Sequence, residues 1–195
     1  MTATTKKKFA VITGGSSGIG FELALLFAKD GYDLLLAERH DPTAEKRAQL
    51  EASGIKLMTA KVDLSTREGS DLLFEAILAE KRPVDALVLN AGTAVYGEFG
   101  KTPEKLESEL ALITLNISSV VHLAKCVLPM MVTRGQGKVL ITSSIAALIP
   151  GPYYATYAAS KSFLLSFSEA LTDELGNSGV SVTALMPSPT DTPIF

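Results

Sequence analysis

The sequence has little of several residue types, and each shortage excludes a class of protein. Among 195 residues there is one cysteine, Cys126, no tryptophan and two histidines. A single cysteine cannot form an internal disulfide, which excludes the disulfide-rich secreted scaffolds and fits a reducing compartment. We therefore expect a cytoplasmic protein in which Cys126 is a small buried hydrophobic side chain.

An excess of positive charge is also missing. Lys and Arg number 18 against 21 Asp and Glu, which gives a net charge of −3 and argues against a nucleic-acid partner. No apolar run approaches the roughly 20 residues that span a bilayer, so no membrane partner is expected. The hydrophobic content of 47% is enough for the core of an ordinary globular domain.

Short apolar segments alternate with longer segments that have helical periodicity. Six short segments are continuously hydrophobic, which is typical of strands buried on both faces of a parallel sheet. They are Phe9–Thr13, Leu34–Ala37, Lys56–Val62, Ala86–Asn90, Lys138–Thr142 and Val180–Met186. Five helical segments lie between them. The sequence therefore predicts one α/β domain over residues 1–195, a doubly wound, Rossmann-type parallel sheet of about six strands with helices on both faces, in three layers.

The first predicted strand leads into a glycine-rich loop that opens the first helix. The loop reads Thr13-Gly14-Gly15-Ser16-Ser17-Gly18-Ile19-Gly20. Glycines let the backbone approach a ligand closely, while a helix N-terminus offers unpaired N–H groups and partial positive charge to a phosphate. In this context the loop predicts a dinucleotide site. Its candidate binding residues are Gly14, Ser16, Ser17, Gly18, Ile19 and Gly20.

Two other motifs share letters with this loop. No Lys-Ser or Lys-Thr pair follows the last glycine, which excludes a P-loop. Gly14 to Gly18 also matches the G-x-S-x-G nucleophile elbow, with Ser16 as the nucleophile of a serine hydrolase. That chemistry needs a histidine after a late strand, whereas His40 and His122 lie near the second strand and in a helix. The hydrolase is the remote alternative, which labelling of Ser16 by a fluorophosphonate would support.

An acidic and a basic residue follow the second predicted strand, where a dinucleotide fold meets the adenosine ribose. An acidic side chain there accepts hydrogen bonds from the ribose hydroxyls, and an arginine can hold a 2′-phosphate. Glu38 comes first and Arg39 second. Because the carboxylate of Glu38 would repel a 2′-phosphate, the sequence favours NAD(H) over NADP(H).

Tyr157 and Lys161 lie four residues apart, one turn apart on the same face of a predicted helix. A phenol with its usual pKa of about 10 is a poor acid or base at pH 7, but a neighbouring cation favours the phenolate. Ser144 follows the fifth predicted strand at its carboxyl end, where open α/β sheets bind ligands. Ser143 is adjacent to it, and only one of the two side chains can face the cleft.

Taken in order, these motifs resemble those of the short-chain dehydrogenase/reductase family, and the resemblance extends from Phe9 to Phe195. The matching elements are the glycine loop, Asp63-Leu64, Asn90-Ala91-Gly92, Asn116, Ser144, and Tyr157 with Lys161. The stretch from Pro150 to Leu171 is further similar to the branch of oxidoreductases related to DltE.

The resemblance implies a role for each matching residue. Tyr157 would be the general acid/base, Lys161 would assist it and bind the nicotinamide ribose, Ser144 would polarise the carbonyl, and Asn116 would hold a water in a proton relay. Cofactor contacts are implied for a further set: Asp63, Leu64, Asn90, Ala91, Gly92, Pro187 and Thr192. No metal ion is expected.

Three features depart from the family pattern. Leu89 stands where many family members have asparagine. Ser188 stands where they usually have glycine, and a positive φ at that position would strain serine by about 1 kcal/mol. The sequence also stops at Phe195, so it is expected to lack the C-terminal substrate lid and last strand of the family.

The function expected from these residues is that of an NAD(P)-dependent oxidoreductase, which interconverts an alcohol and a carbonyl by hydride transfer. A catalytically idle nucleotide-binding relative is the alternative if the short C-terminus is real. The expected pocket walls, residues 94–99 and 145–154, are mostly apolar and contain no arginine, which favours a neutral or hydrophobic small-molecule substrate. A homodimer or homotetramer formed through the fourth and fifth helices is expected.

Overall fold

The protein forms a six-stranded parallel sheet with helices packed on both faces, as described for residues 7–190 by a computed structural model. The strands are β1 (Phe9–Thr13), β2 (Asp33–Glu38), β3 (Leu57–Lys61), β4 (Ala86–Leu89), β5 (Gly137–Thr142) and β6 (Val180–Leu185). The helices are α1 (Gly18–Lys29), α2 (Ala44–Glu51), α3 (Arg67–Ala79), α4 (Leu106–Ile113), α5 (Ser119–Arg134) and α6 (Ala155–Leu175). The predicted doubly wound fold is confirmed.

The strand order β3-β2-β1-β4-β5-β6 places the reversal of winding between β1 and β4. Every pair is parallel, and Thr13 of β1 is in register with Leu89 of β4. The carboxyl ends of all strands therefore meet at one edge of the sheet, and the loops after β1 and β4 diverge there to leave a crevice.

The strand predictions were right in number and order and differ from the structure only at the ends. β2 is one residue longer at each end and β3 one residue shorter at each end, while β4 and β6 end one residue early and β5 begins one residue early. Asn90, predicted as the end of a strand, lies in the loop because its N–H bonds to the side chain of Thr13.

The fourth predicted helix is interrupted, and this was not foreseen. Two short 3₁₀ turns, Phe99–Lys101 and Pro103–Lys105, precede α4, and a π-helical turn at Thr114–Ser118 separates α4 from α5. A π turn inserts one extra residue into a helix and is frequent at functional sites. Asn116 lies in this turn.

Two hydrophobic clusters hold the helices against the sheet. Leu73, Leu123 and Leu164 belong to the cluster shared by α3, α5 and α6, while Ala24 and Leu50 join α1 and α2 to the opposite face. By length and composition alone, the helical stretch Pro103–Arg134 is long and apolar enough to cross a membrane. In the fold, 39% of its apolar part is buried. The expectation concerned an unbroken apolar run, which this stretch does not contain, and its buried side chains pack on the sheet.

Candidate active site

A cavity of about 760 Å³ lies at the carboxyl edge of the sheet, over the crevice between β1 and β4. It brings together residues that are far apart in the sequence. Its walls include Gly14, Ser17, Gly18, Ile19 and Gly20 of the glycine loop, Arg39, Asn90-Ala91-Gly92, Thr142, Ser143, Ser144, Tyr157, Lys161 and Pro187. Most of the predicted site residues therefore share one cavity.

The glycine loop is packed too closely for side chains. Gly14 adopts a φ of +69°, and a Cβ on Gly20 would lie 1.9 Å from the carbonyl oxygen of Gly14. Ser17, the N-cap of α1, makes no side-chain capping bond, and the first turn of α1 contains no acidic residue. The N–H groups at this helix end therefore face the cavity without a side-chain acceptor, which fits the phosphates of a dinucleotide.

Thr13 and Asn90 fix the loop to the ends of two strands. The Thr13 hydroxyl accepts hydrogen bonds from the backbone N–H groups of Asn90 and Ala91 at 2.9 and 3.0 Å. The Asn90 amide donates to the carbonyls of Thr13 and Gly14, while its Oδ1 accepts from Thr142 at 3.1 Å. The side chain of Asn90 thus holds the glycine loop in place, and the residue also lines the cavity.

Tyr157 and Lys161 lie side by side at the base of the cavity. Lys161 is 3% exposed, its Nζ lies 5.7 Å from the centre of the Tyr157 ring and donates to the carbonyl of Thr142 at 2.8 Å. Burial lowers the pKa of Lys161 to about 8, because the charged form loses water. Tyr157 is 8% exposed and lines the cavity.

The two adjacent serines have different partners. The Ser143 hydroxyl donates to the carbonyl of Lys161 at 2.7 Å and is buried. The Ser144 hydroxyl accepts from the N–H of Ala146 at 3.2 Å at the start of a short 3₁₀ turn, Ile145–Ala147. Because its own proton is not used in that bond, Ser144 is the serine that can donate to a ligand.

Asn116 is fully buried in the π turn. Its amide donates to the carbonyl of Thr93 and the hydroxyl of Ser160, while Oδ1 accepts from the N–H of Thr93 at 2.9 Å. These bonds occupy both donors of the side chain. A water bound by Asn116 must therefore use the remaining acceptor capacity of Oδ1 or the backbone of the turn.

Glu38 and Arg39, adjacent in sequence, occupy different environments. Glu38 is 8% exposed, and its Oε2 accepts a hydrogen bond of 2.8 Å from Ser16. Arg39 is exposed and lines the cavity. Burial raises the pKa of Glu38 to about 7, against the opposing effects of the Ser16 hydrogen bond and the charge of Lys46.

The remaining predicted cofactor residues do not all lie in the main cavity. Asp63 lines a second cavity of about 440 Å³ with Arg39 and His40, and hydrogen bonds from Ser65 hold its pKa below the usual range. Leu64 is buried in the core. Thr192 lies outside the described residues. Ser188 lines the main cavity without a positive φ, so the strain considered for it is absent.

Aromatic side chains form the outer wall of the cavity, in the two loops expected to contain it. The ring centres of Tyr96 and Tyr154 are 5.9 Å apart, and those of Tyr154 and Tyr157 are 6.3 Å apart. A Cβ on Gly151 would lie 2.3 Å from the Tyr154 hydroxyl. Sequence reasoning missed Thr142, Thr93 and Leu115, although Leu115 adjoins Asn116 and Thr142 precedes the two serines.

Neither a metal nor a hydrolase site is formed by these residues. Within residues 7–190, no three His, Cys, Asp or Glu side chains cluster as metal ligands. Ser16 donates to Glu38, while His122 pairs with Asp71 at 3.2 Å. The one hydrogen bond described for the Ser16 hydroxyl goes to Glu38 and not to a histidine. These contacts therefore do not support the serine hydrolase interpretation.

A glycine loop at the winding reversal of a parallel sheet, with a Tyr–Lys pair in the same cavity, defines a dinucleotide-binding α/β domain. The family model described as short chain dehydrogenase matches residues 8–195. The chain belongs to this family.

Individual relatives agree with this assignment. A short chain dehydrogenase of Pseudocercospora fijiensis is 35% identical over 181 residues, which are 92% of this chain and 59% of that protein. A short-chain dehydrogenase from Sphingobium yanoikuyae in complex with NADPH is 34% identical, with a TM-score of 0.88 over 96% of this chain and 73% of that one. A short chain dehydrogenase/reductase from Burkholderia phymatum in complex with NAD is 28% identical, with a TM-score of 0.88 over 97% of this chain and 68% of that one. The chain thus spans less than two thirds of the fungal relative.

Proposed function

We propose that the protein is an NAD(P)-dependent oxidoreductase that interconverts an alcohol and a carbonyl. The observation that carries this proposal is the common cavity of the glycine loop, Ser144, Tyr157 and Lys161. A bound nicotinamide nucleotide supplies or accepts the hydride. The protein supplies the position of the reactants and the proton.

Each catalytic residue has a part that its contacts support. Tyr157 passes the proton to or from the substrate oxygen, and Ser144 donates a hydrogen bond to the same oxygen. Lys161 lies next to the Tyr157 ring, where a positive charge favours the ionised phenol. Asn116 positions the loop after β4 through its two bonds to Thr93 and is the proposed anchor of the proton relay.

The nucleotide contacts follow from the walls of the two cavities. The N-terminus of α1 binds the pyrophosphate, and Gly92 lies close to Lys161: a Cβ at Gly92 would be 3.5 Å from Nζ. Asp63 and Leu64 are proposed to meet the adenine, and Pro187 and Thr192 the nicotinamide. We propose a preference for NAD(H), because the carboxylate of Glu38, which ends β2 and bonds to Ser16 of the glycine loop, would repel a 2′-phosphate, although Arg39 offers an opposing charge.

The substrate is proposed to be a neutral, largely apolar ketone or secondary alcohol. Tyr96, Tyr154, Ile145 and Ile149 line the outer part of the cavity. The charged side chains in its lining are Arg39, after β2, and Lys161, beside Tyr157 at the base of the cavity. An apolar wall without a cation favours an uncharged ligand.

Assembly and location complete the proposal. An exposed apolar stripe on α4, formed by Leu106, Leu110 and Ile113, supports a homodimer or homotetramer. We place the protein in the cytoplasm, without nucleic-acid or membrane partners, on the grounds of its single cysteine and net charge of −3.

The test replaces the proposed acid. Tyr157→Phe should lower kcat for a panel of apolar ketones by about 10²–10⁴-fold, measured at the nicotinamide absorbance, while NADH binding measured by fluorescence is kept. Tyr153→Phe is the matched control, because Tyr153 is 59% exposed and outside the cavity lining. Wild-type turnover in Tyr157→Phe would reject the proposed function. NADH binding by wild-type protein without turnover of any carbonyl or alcohol would favour the idle relative.

A further inference from the structure

Two buried serines of α6 use their hydroxyls in the same way toward their own helix. Ser160 is 1% exposed and donates to the carbonyl of Tyr157 at 2.7 Å. Ser168 is 2% exposed and donates to the carbonyl of Leu164 at 2.7 Å. Serine hydroxyls in helices make such bonds to the preceding turn, so these bonds alone do not indicate a function. The two serines differ in what else the hydroxyl contacts.

The hydroxyl of Ser160 also accepts a hydrogen bond from another element. The donor is the side-chain amide of Asn116 in the π turn, 44 positions earlier in the chain, at a distance of 3.1 Å. A hydroxyl has one proton to donate and two lone pairs to accept with. Ser160 gives its proton to the carbonyl of Tyr157 and accepts from Asn116, and it thereby joins the π turn to the backbone of the proposed general acid/base.

The series of hydrogen bonds continues from Asn116 to the loop after β4. The Asn116 amide donates to the carbonyl of Thr93 at 3.0 Å, and its Oδ1 accepts from the N–H of Thr93 at 2.9 Å. Thr93 lines the main cavity, whereas Asn116 and Ser160 are not in its lining. An unbroken series of bonds therefore runs behind the cavity, from the backbone of Tyr157 to the cavity wall at Thr93.

The loop after β4 approaches α6 closely at Gly92. A Cβ at Gly92 would lie 3.3 Å from Oδ1 of Asn116 and 3.5 Å from Nζ of Lys161. Because glycine has no side chain to hold the loop and the helix apart, their spacing depends on the groups that bond them. The bonds through Ser160 and Asn116 are of this kind.

The same turn of α6 is bonded to β5 on its other side. The Ser143 hydroxyl donates to the carbonyl of Lys161, and Nζ of Lys161 donates to the carbonyl of Thr142. The turn that contains Tyr157 and Lys161 is thus held by side-chain bonds from β5 and from the π turn. A buried polar network whose members are satisfied makes the groups that it joins rigid.

We propose that Ser160 is a positioning residue for the reaction. Through Asn116 it fixes the placement of Tyr157 relative to the loop after β4, and hence relative to the reacting carbon. Thr13 and Asn90 hold the glycine loop through bonds that do not involve Ser160, so its loss should slow the chemical step without weakening nucleotide binding. This inference rests on the proposed function, since it assumes proton and hydride transfer in the main cavity.

The test compares Ser160→Ala with Ser168→Ala, which removes the bond of an equally buried serine in the same helix. Misplacement of a catalytic group by about 1 Å can cost about 100-fold in rate. Ser160→Ala should therefore lower kcat by about 10–100-fold, for the ketone that the wild type reduces fastest. Its dissociation constant and binding stoichiometry for NADH, measured by fluorescence, should stay as in the wild type. Ser168→Ala should keep the wild-type kcat, although thermal melting should show a similar small loss of stability in both variants.

A conservative variant tests whether the hydroxyl itself is responsible. Ser160→Thr keeps a hydroxyl that can reach a carbonyl one turn back in the helix, and it should recover most of the lost turnover. A folded Ser160→Thr protein that is no faster than Ser160→Ala would contradict the proposal.

Other results would also overturn the positioning role. Wild-type kcat in Ser160→Ala would do so, and an equal loss of kcat in Ser168→Ala would reveal a general effect of α6. Failure of Ser160→Ala to fold, or a fall in NADH binding that matches the fall in kcat, would make the bond purely structural. Absence of turnover in the wild-type protein would instead overturn the proposed function.

Discussion

Lys161 is a residue of the candidate active site whose burial lowers the stability of the folded protein. The residue is 3% exposed, and burial lowers the pKa of its ammonium to about 8 from a usual 10.5. The folded state therefore binds fewer protons than the unfolded state between pH 8 and pH 10.5. Stability should rise with pH across that window, and the full penalty should be present below pH 8.

Lys161→Met should accordingly stabilise the fold at pH 7 by up to about 3 kcal/mol while removing turnover. The methionine keeps most of the volume and loses the buried charge, at the cost of the bond to the Thr142 carbonyl. Thermal melting at pH 7 and pH 10 measures the effect, which should be largest at pH 7. A lower melting temperature than the wild type at pH 7 would show that the ammonium contributes net stability.

The sequence predicts which side chains lie together when the residues are close in one motif. It does not predict pairs of side chains that meet only after the chain has folded. Tyr157 and Lys161 were predictable because one helical turn separates them. The Ser16–Glu38 hydrogen bond joins residues 22 positions apart, and nothing in the local sequence indicates that Glu38 turns inward while Arg39 turns outward. The resemblance singled out Ser144 over Ser143, but the physical reason, the bond from the Ser143 hydroxyl to the Lys161 carbonyl, joins residues 18 positions apart and could not be read from the sequence.

At the level of elements, the strands were predictable because each is short, apolar and bounded by turn residues. The π turn at Thr114–Ser118 was not, because one extra residue scarcely changes hydrophobic periodicity in a long helix. The turn buries Asn116 and directs it to Thr93, so it links α4 and α5 to the loop after β4. Asn116 was singled out from the family resemblance, as the residue that would hold a water in a proton relay, and that role stays a prediction.

The glycine loop is the element whose geometry tolerates least change. Gly20→Ala would place a Cβ 1.9 Å from the Gly14 carbonyl oxygen, a backbone atom, so the loop must move. We expect a loss of about 1–3 kcal/mol in stability and at least a tenfold weaker binding of NADH. Gly100→Ala is the matched control, since nothing lies within 4 Å of its Cβ position. Unaltered NADH affinity in Gly20→Ala would show that the loop does not hold the nucleotide.

At the scale of the whole molecule, three exposed apolar side chains form a stripe along α4. Leu106, Leu110 and Ile113 follow the i, i+4, i+7 spacing of one helix face and are 58%, 47% and 38% exposed. Their buried counterpart is Leu112, which packs with Tyr157 and Ala158 of α6. A partner on α4 would therefore be coupled to the catalytic helix through one layer of side chains.

Leu110→Asp tests whether a second copy of the chain covers this stripe. The side chain is 47% exposed, so the charge should be tolerated in a monomer but not in an apolar interface. We expect light scattering coupled to size exclusion to show the wild type as a dimer or tetramer and Leu110→Asp as a smaller species. Leu26→Asp, on the first helix and 59% exposed, should leave the mass unchanged. Because Leu112 links the stripe to Tyr157, dissociation should also lower kcat, whereas an unchanged mass for Leu110→Asp would place the interface elsewhere.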